Sequence, residues 1–178
     1  AQRLYPNNPV PYLNEARSFL EEGREEEAEA AYLGALDLLP LYTDPSIIPF
    51  RESGLLDRII EALSDLVQLR VRRGDYGGAL AATDFAVSEL PDEARLYSLR
   101  AWVHRQAGEP ERALEDCRGA LEIDPGRTGI HLQMGEIYLE MGRREEARRE
   151  FEQELELNPA SEAAAEALRS LEETGTGP

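Results

Sequence analysis

Histidines, a cysteine and runs of carboxylates are the side chains in this chain that could do chemistry, and their spacing does not let them do it. His104 and His131 are the only two histidines, and Cys117 is the single cysteine. They form neither the i, i+4 histidine pair of a metalloprotease helix nor the four ligands of a structural zinc site. Glu25 to Glu27 and Glu145 to Glu146 fall where helices open, and the helix dipole favours negative charge there. No glycine-rich loop cradles a phosphate, because the glycines fall at helix boundaries, packing positions or the tail. Cys117 lies between Leu114 and Leu121 on an apolar helical stripe, which predicts buried packing and not reactivity. A lone cysteine also excludes an intramolecular disulfide framework. The expectation is a chain with no catalytic residues, no metal and no cofactor.

Composition narrows the class further. The formal charge is −17, with 36 acidic residues against 19 basic ones, all of the latter arginine. Like-charge repulsion therefore opposes nonspecific binding to nucleic acid or an anionic membrane. No apolar run approaches the roughly 20 residues needed to span a bilayer, and Ala1 to Val10 lacks the apolar centre of a secretory leader. Cytoplasm is the expected compartment, although a chain trimmed at its amino end would have left an export signal behind. Aromatic residues make up only 7% of the sequence, while alanine, leucine and glutamate are abundant, as suits helices.

The elements that position the side chains follow from a repeated spacing. Gly23, Gly74, Gly108 and Gly142 are each followed five residues later by Ala28, Ala79, Ala113 and Ala147, and seventeen residues later by Pro40, Pro91, Pro125 and Pro159. The last three units stand 34 residues apart, the stride of a stacked repeat array. In the third unit, Leu96, Tyr97, Ala101 and His104 recur at helical spacing until Gly108 stops the helix. Pro110 suits the first turn of a second helix, whose stripe is Ala113, Cys117, Ala120 and Leu121. Small residues at Ala101, Ala113 and Ala120 let the two antiparallel helices approach closely.

The fourth unit carries Gly135, Tyr138, Gly142, Ala147, Phe151 and Pro159 at the same places; the first carries Tyr12, Ala16, Phe19, Gly23, Ala28 and Tyr32. With Leu63, Leu66, Gly74, Ala79, Ala86 and Pro91 in the second, the pattern resembles the tetratricopeptide repeat family over most of the chain. The resemblance implies an all-α, right-handed α-α superhelix, a solenoid of about four helix-turn-helix repeats closed by a capping helix. It divides a single domain, 1–178, into the end of a preceding partial repeat (1–8), repeat 1 (9–42), an insertion with helix extension (43–59), repeat 2 (60–93), repeat 3 (94–127), repeat 4 (128–160), a capping helix (161–173) and a disordered tail (174–178). Arg100 and His104 depart from the large apolar residues usual at their positions, and Glu154 stands where the other units have alanine.

Two irregularities interrupt the stride. Ala1, Leu4 and Pro6 lie 34 residues before Ala35, Leu38 and Pro40, so the chain either begins inside the last turns of an earlier repeat or carries Pro6 incidentally. Between Gly23 and Gly74 there are 17 residues beyond one period. Pro45 and Pro49 forbid a continuous helix in that excess. It reads as a loop of about ten residues, then a helix that starts early, capped by Ser53, with Leu55, Leu56, Ile59 and Ile60 at helical spacing. Ile47, Ile48 and Phe50 need cover: they pack on the first two units, fold over the groove or form a contact patch.

The resemblance also implies where a partner sits, because in this family the first helix of each pair lines a concave groove for extended peptides or partner helices. That register places Asn14 and Arg17, then Asp65, Gln68 and Arg72, then Arg95, Ser98, Trp102 and Arg105, and finally Leu132, Glu136 and Leu139 on the groove. Arginine offers bidentate donors to carboxylates and an indole offers apolar area. Arg72, Arg95, Arg105 and Trp102 therefore either grip a peptide with an acidic or carboxylate group beside an apolar side chain, or pair with glutamates of neighbouring helices. Chaperone-binding members hold a terminal carboxylate with lysine and asparagine; those positions read Leu13, Arg17, Asp65, Arg95 and Leu99. Asp65 repels a carboxylate, so a chaperone tail is not expected by this route. The expected function is a non-catalytic scaffold for a protein or peptide; the alternative is a structural module for self-assembly, forming a homo-oligomer, or a domain appended to a larger enzyme.

Overall fold

The computed structural model describes residues 8–43 and 54–175. They form helices only: α1 (Val10–Glu21), α2 (Glu25–Leu36), α3 (Leu39–Thr43), α4 (Leu55–Arg72), α5 (Tyr76–Glu89), α6 (Ala94–Gln106), α7 (Pro110–Ile123), α8 (Ile130–Glu140), α9 (Arg144–Leu157) and α10 (Glu162–Gly175). The chain divides into two compact units, Ala1–Pro91 and Asp92–Pro178. In the first, α1 packs on α2 and α4 on α5, with α2 against α4. In the second, α6 pairs with α7, α8 with α9, and α10 covers α9. Among the described residues no helix is long and apolar enough to cross a membrane.

Each pair turns on the glycine that marks the repeat. Gly23, Gly74, Gly108 and Gly142 adopt φ of +72°, +76°, +76° and +73°, a left-handed backbone that side-chain-bearing residues rarely enter. In each, the next amide donates back five residues to the helix it leaves: Arg24 to Phe19 at 2.8 Å, Asp75 to Arg70 at 2.9 Å, Glu109 to His104 at 2.9 Å and Arg143 to Tyr138 at 2.8 Å. The turn thereby satisfies carbonyls that the helix end leaves open and aims the chain back along its own helix.

Complementary volumes set the gap between paired helices. Ala28, Ala79, Ala113 and Ala147 are each 0% exposed, as close helix crossings require. Elsewhere a small residue faces a larger one: in the fourth repeat, a Cβ added to Gly135 would lie 2.4 Å from the Phe151 ring. Interiors at this density tolerate neither an added methyl nor a void without cost.

The departures noted in the sequence turn out to be structural devices. Arg100 donates from Nε and Nη2 to the two oxygens of buried Asp116, at 2.9 and 2.6 Å. His104 lies beside the same pair, its Nδ1 2.7 Å from Glu109. Glu154, 1% exposed, accepts from the Gly129 amide through both oxygens at 2.9 and 2.8 Å and from Leu132 at 3.4 Å. It caps the start of α8 from the next helix, because Gly129 (φ +87°) has no side chain to do so.

Three boundaries differ from the sequence reading. The second helix of repeat 1 ends at Leu36, four residues before Pro40, and Pro40 instead falls in the first turn of the short α3, where its missing donor costs nothing. The extended helix of repeat 2 begins at Leu55, as the spacing predicts, but its N-cap residue is Gly54 in the left-handed region. Helix α10 continues through Thr174 and Gly175, two residues into the segment read as tail. Residues 1–7, the insertion residues Pro45, Ile47, Ile48, Pro49, Phe50 and Ser53, and 176–178 lie outside the described residues.

Replacing Glu154 by alanine leaves two amides at the start of α8 without their acceptor. A loss of about 2–3 kcal/mol is expected, since the partner removed is charged and buried. Urea denaturation monitored by circular dichroism measures it, and an unchanged midpoint would remove the capping role.

Candidate binding faces on the first helix of each pair

In the first unit, α1 and α4 supply the side chains that the sequence assigns to a groove. Asn14 is exposed, and Arg17 is held by Glu61 at 2.8 Å, with Asp65 at 4.0 Å. Arg17, Leu20 and Glu21 on α1, Tyr32 on α2, and Asp65, Gln68 and Arg72 on α4 enclose an open depression of about 270 Å³. Tyr32 is fully buried and donates its hydroxyl to Asp65 at 3.1 Å. Burial, with the Asp65 charge beside it, pushes the Tyr32 phenol up to about 12. Gln68 is exposed, its amide 3.3 Å from Ser64 one turn earlier. Arg72 is exposed on the rim and has no ion pair among the described residues.

The depression is positioned by a charge network behind it. Arg70 occupies the place where the fourth repeat has Tyr138. It donates to Glu29 of α2 at 2.8 Å and to the Gly78 carbonyl of α5 at 2.7 Å. Arg73 joins Glu25 at 3.0 Å and Glu29 at 2.8 Å. Arg70 is mostly buried, so this network fixes the end of α4 more firmly than exposed pairs could.

In the second unit, α6 carries Arg95, Ser98, Trp102 and Arg105 at intervals of three or four residues, which puts them on one face. Arg95 folds back on Glu93, the residue that caps α6, at 2.8 and 3.1 Å, and holds the Glu93 carboxyl below the ordinary range. Ser98 and Gln133 exchange two hydrogen bonds of 3.1 Å, tying α6 to α8. Arg105 donates twice to Glu140, at 2.8 and 2.7 Å, and also to Glu136. Trp102, Leu132 and Leu139 are half-buried, the two leucines packed against the core of the unit.

The structure therefore brings Arg17, Gln68 and Arg72 together around one depression in the first unit, and in the second it joins Arg105 to Glu136 and Ser98 to Gln133. Of the two roles open to Arg72, Arg95 and Arg105, pairing with glutamates of a neighbouring helix holds for Arg105, Arg95 pairs instead with the cap of its own helix, and Arg72 has no ion pair among the described residues. Glu93, Gln133 and Glu140 belong to these faces and were not singled out in the sequence, and Tyr32 was named there only as a repeat position. Glu140 had a signal, standing one repeat and one residue beyond Arg105. Cys117 is 0% exposed, and burial, reinforced by Asp116 and Glu150, pushes its thiol up to about 12. Among the described residues no group of histidine, cysteine and carboxylates could hold a metal.

Two models of the tetratricopeptide repeat family match the chain, over residues 64–128 and 104–171. The chain belongs to that family. Among curated relatives, the TPR repeat-containing thioredoxin TTL4 of Arabidopsis thaliana is 36% identical over 78 residues, covering 44% of this chain and 11% of that protein. The small glutamine-rich tetratricopeptide repeat-containing protein 2 of Mycosarcoma maydis is 28% identical over 99 residues, 56% of this chain and 28% of its own length. The chain thus spans a minor part of the relatives it matches. A solved tetratricopeptide repeat protein from Parabacteroides merdae is 21% identical, with a TM-score of 0.67 over 94% of this chain and 60% of its own. The first TPR of Spaghetti (RPAP3), bound to the HSP90 peptide SRMEEVD, gives a TM-score of 0.59 at 21% identity over 66% of this chain and 96% of its own. These likenesses show the fold, an all-α TPR solenoid class.

The raised Tyr32 phenol has a consequence at high pH. Its pKa stands above the ordinary value of 10.0, so its contribution to stability is complete below pH 10 and is lost as pH rises through about 12. Ultraviolet titration of the protein against Tyr32→Phe should show the difference spectrum appearing near 12 and not near 10. Ionisation at the ordinary pH would contradict the buried contact to Asp65.

Proposed function

We propose that the chain is a protein-interaction module, without catalysis of its own, that holds an extended peptide or protein segment along the first helices of its repeats. The observation that carries this reading is the make-up of those faces. Half-buried Trp102 offers apolar area on the face of α6 that also carries Ser98 and Arg105, and those two polar groups are fixed by pairs to α8. Anchors of that kind cost little entropy on binding. The Spaghetti complex, in which a tetratricopeptide repeat domain holds the peptide SRMEEVD, supports a peptide as the ligand class.

An acidic group on the ligand fits Arg72 better than Arg95 or Arg105. Arg72 has no ion pair among the described residues, whereas the other two must first give up an internal carboxylate. A chaperone tail gripped by the family's clamp is not part of the proposal, because Leu13 is buried and Asp65 is a carboxylate at two clamp positions. A structural module for self-assembly, or one appended to an enzyme, is the second reading.

Peptide arrays with matched acidic and amidated sequences test the proposal. Trp102→Ala is expected to weaken binding about tenfold or more. Arg72→Ala should remove most of the preference for acidic peptides, and an Arg95→Ala, Arg105→Ala double variant should alter it less. Binding that all three variants leave unchanged would end the proposal, and concentration-dependent mass by light scattering would move the assignment to self-assembly.

A further inference from the structure

The depression between α1 and α4 stands where the second unit makes a bridge that the first unit omits. Three residues before its turn glycine, α6 carries Arg105, which spans to Glu136 and Glu140 of α8. The same register in the first unit sets Leu20 of α1 against Gln68 and Arg72 of α4. Leucine has no charge to offer, and Arg72 makes no ion pair among the described residues. In place of the bridge there is an open depression of about 270 Å³.

A second charge faces the same space. Glu21 lines it from the last turn of α1, is exposed, and makes no ion pair among the described residues. The carbonyl end of a helix disfavours a carboxylate, and that turn of α1 holds no basic residue. Arg17 and Asp65 line the depression too but are engaged, Arg17 by Glu61 at 2.8 Å and Asp65 by the Tyr32 hydroxyl at 3.1 Å. Of the charged side chains that line it, Arg72 and Glu21 are therefore the two left to a ligand, and they are opposite in sign. Both stand in the last turns of their helices, whereas residues 1–7 and 44–53 precede the starts of α1 and α4.

A ligand with a single charge is drawn to one of these groups and repelled by the other, so complementarity calls for both signs. We propose that this depression seats a pair of opposite charges on the bound peptide, an acidic side chain against Arg72 and Gln68 and a basic one against Glu21. Side chains two residues apart in an extended segment point the same way, so a glutamate and a lysine separated by one residue enter together. Leu20 offers apolar contact to their methylene stems. This pairing rests on the reading that a peptide lies along the first helices, and adds to it the order in which that peptide carries its charges.

Fluorescence anisotropy tests it with short peptides, acetylated and amidated so that their ends carry no charge. One holds glutamate-serine-lysine at its centre and one lysine-serine-glutamate; two more replace either charged residue by glutamine. One order should bind about tenfold or more tighter than the other and than either singly charged peptide. Glu21→Gln should erase the preference for that order. Glu21→Lys combined with Arg72→Glu, checked as folded by circular dichroism, should reverse it. Equal affinity for the two orders overturns the charge pair, as does a preference that Glu21→Gln spares. If the acidic peptide then still binds and Arg72→Ala weakens it, the broader reading of a peptide along the first helices stands without the pair. No binding of any of the four at millimolar concentration overturns both.

Discussion

Close contact between paired helices is the constraint on which the rest of this protein depends. Two helices that must nest along their length can carry only small residues at the crossing, and whatever volume one side gives up the other has to supply. Ala28, Ala79, Ala113 and Ala147 are buried for that reason, and Gly135 faces Phe151 as the most extreme case. Once the pairs are that close, the chain has no freedom left in where it places the outer faces. Binding side chains such as Trp102 are then presented on a rigid support, which is what an interaction surface without bond-making chemistry requires.

Polar residues inside the array serve the same end. Arg100 with Asp116, Arg70 with Glu29, and Glu154 with the amides of α8 each sit where a repeat protein could have used apolar packing. Satisfied networks of this kind cost stability compared with well-packed apolar side chains, and their best-attested use is to fix one arrangement among several. In a stack of similar hairpins, slippage by one pair is the obvious error. Distinct polar seams at successive repeats give each pair its own address.

Much of this was legible in the sequence because glycine, alanine and proline report backbone and packing demands directly. The left-handed turns at Gly74 and Gly108, the proline in the first turn of α7 and the burial of Cys117 all follow from residue type and stride. The roles of Arg100 and Glu154 were not legible, since they depend on which side chain stands opposite in another helix, and period alone does not say. The same holds for the binding faces. The register named Arg17, Arg95 and Arg105, but whether an arginine is free or spent is decided by carboxylates such as Glu61 and Glu140 that come into range only on folding. Gly175 shows a milder limit, for a poor helix former at a chain end is carried by the helix before it.

The most direct test of volume complementarity is a double-mutant cycle at the closest crossing. Gly135→Ala alone should overpack against Phe151, and Phe151→Leu alone should leave a cavity, each costing roughly 1–3 kcal/mol. Combined, they are expected to recover at least about 1 kcal/mol of that loss by urea denaturation, because the added methyl fills the space the ring vacates. Strictly additive losses would mean that the helices do not meet there as tightly as the account requires.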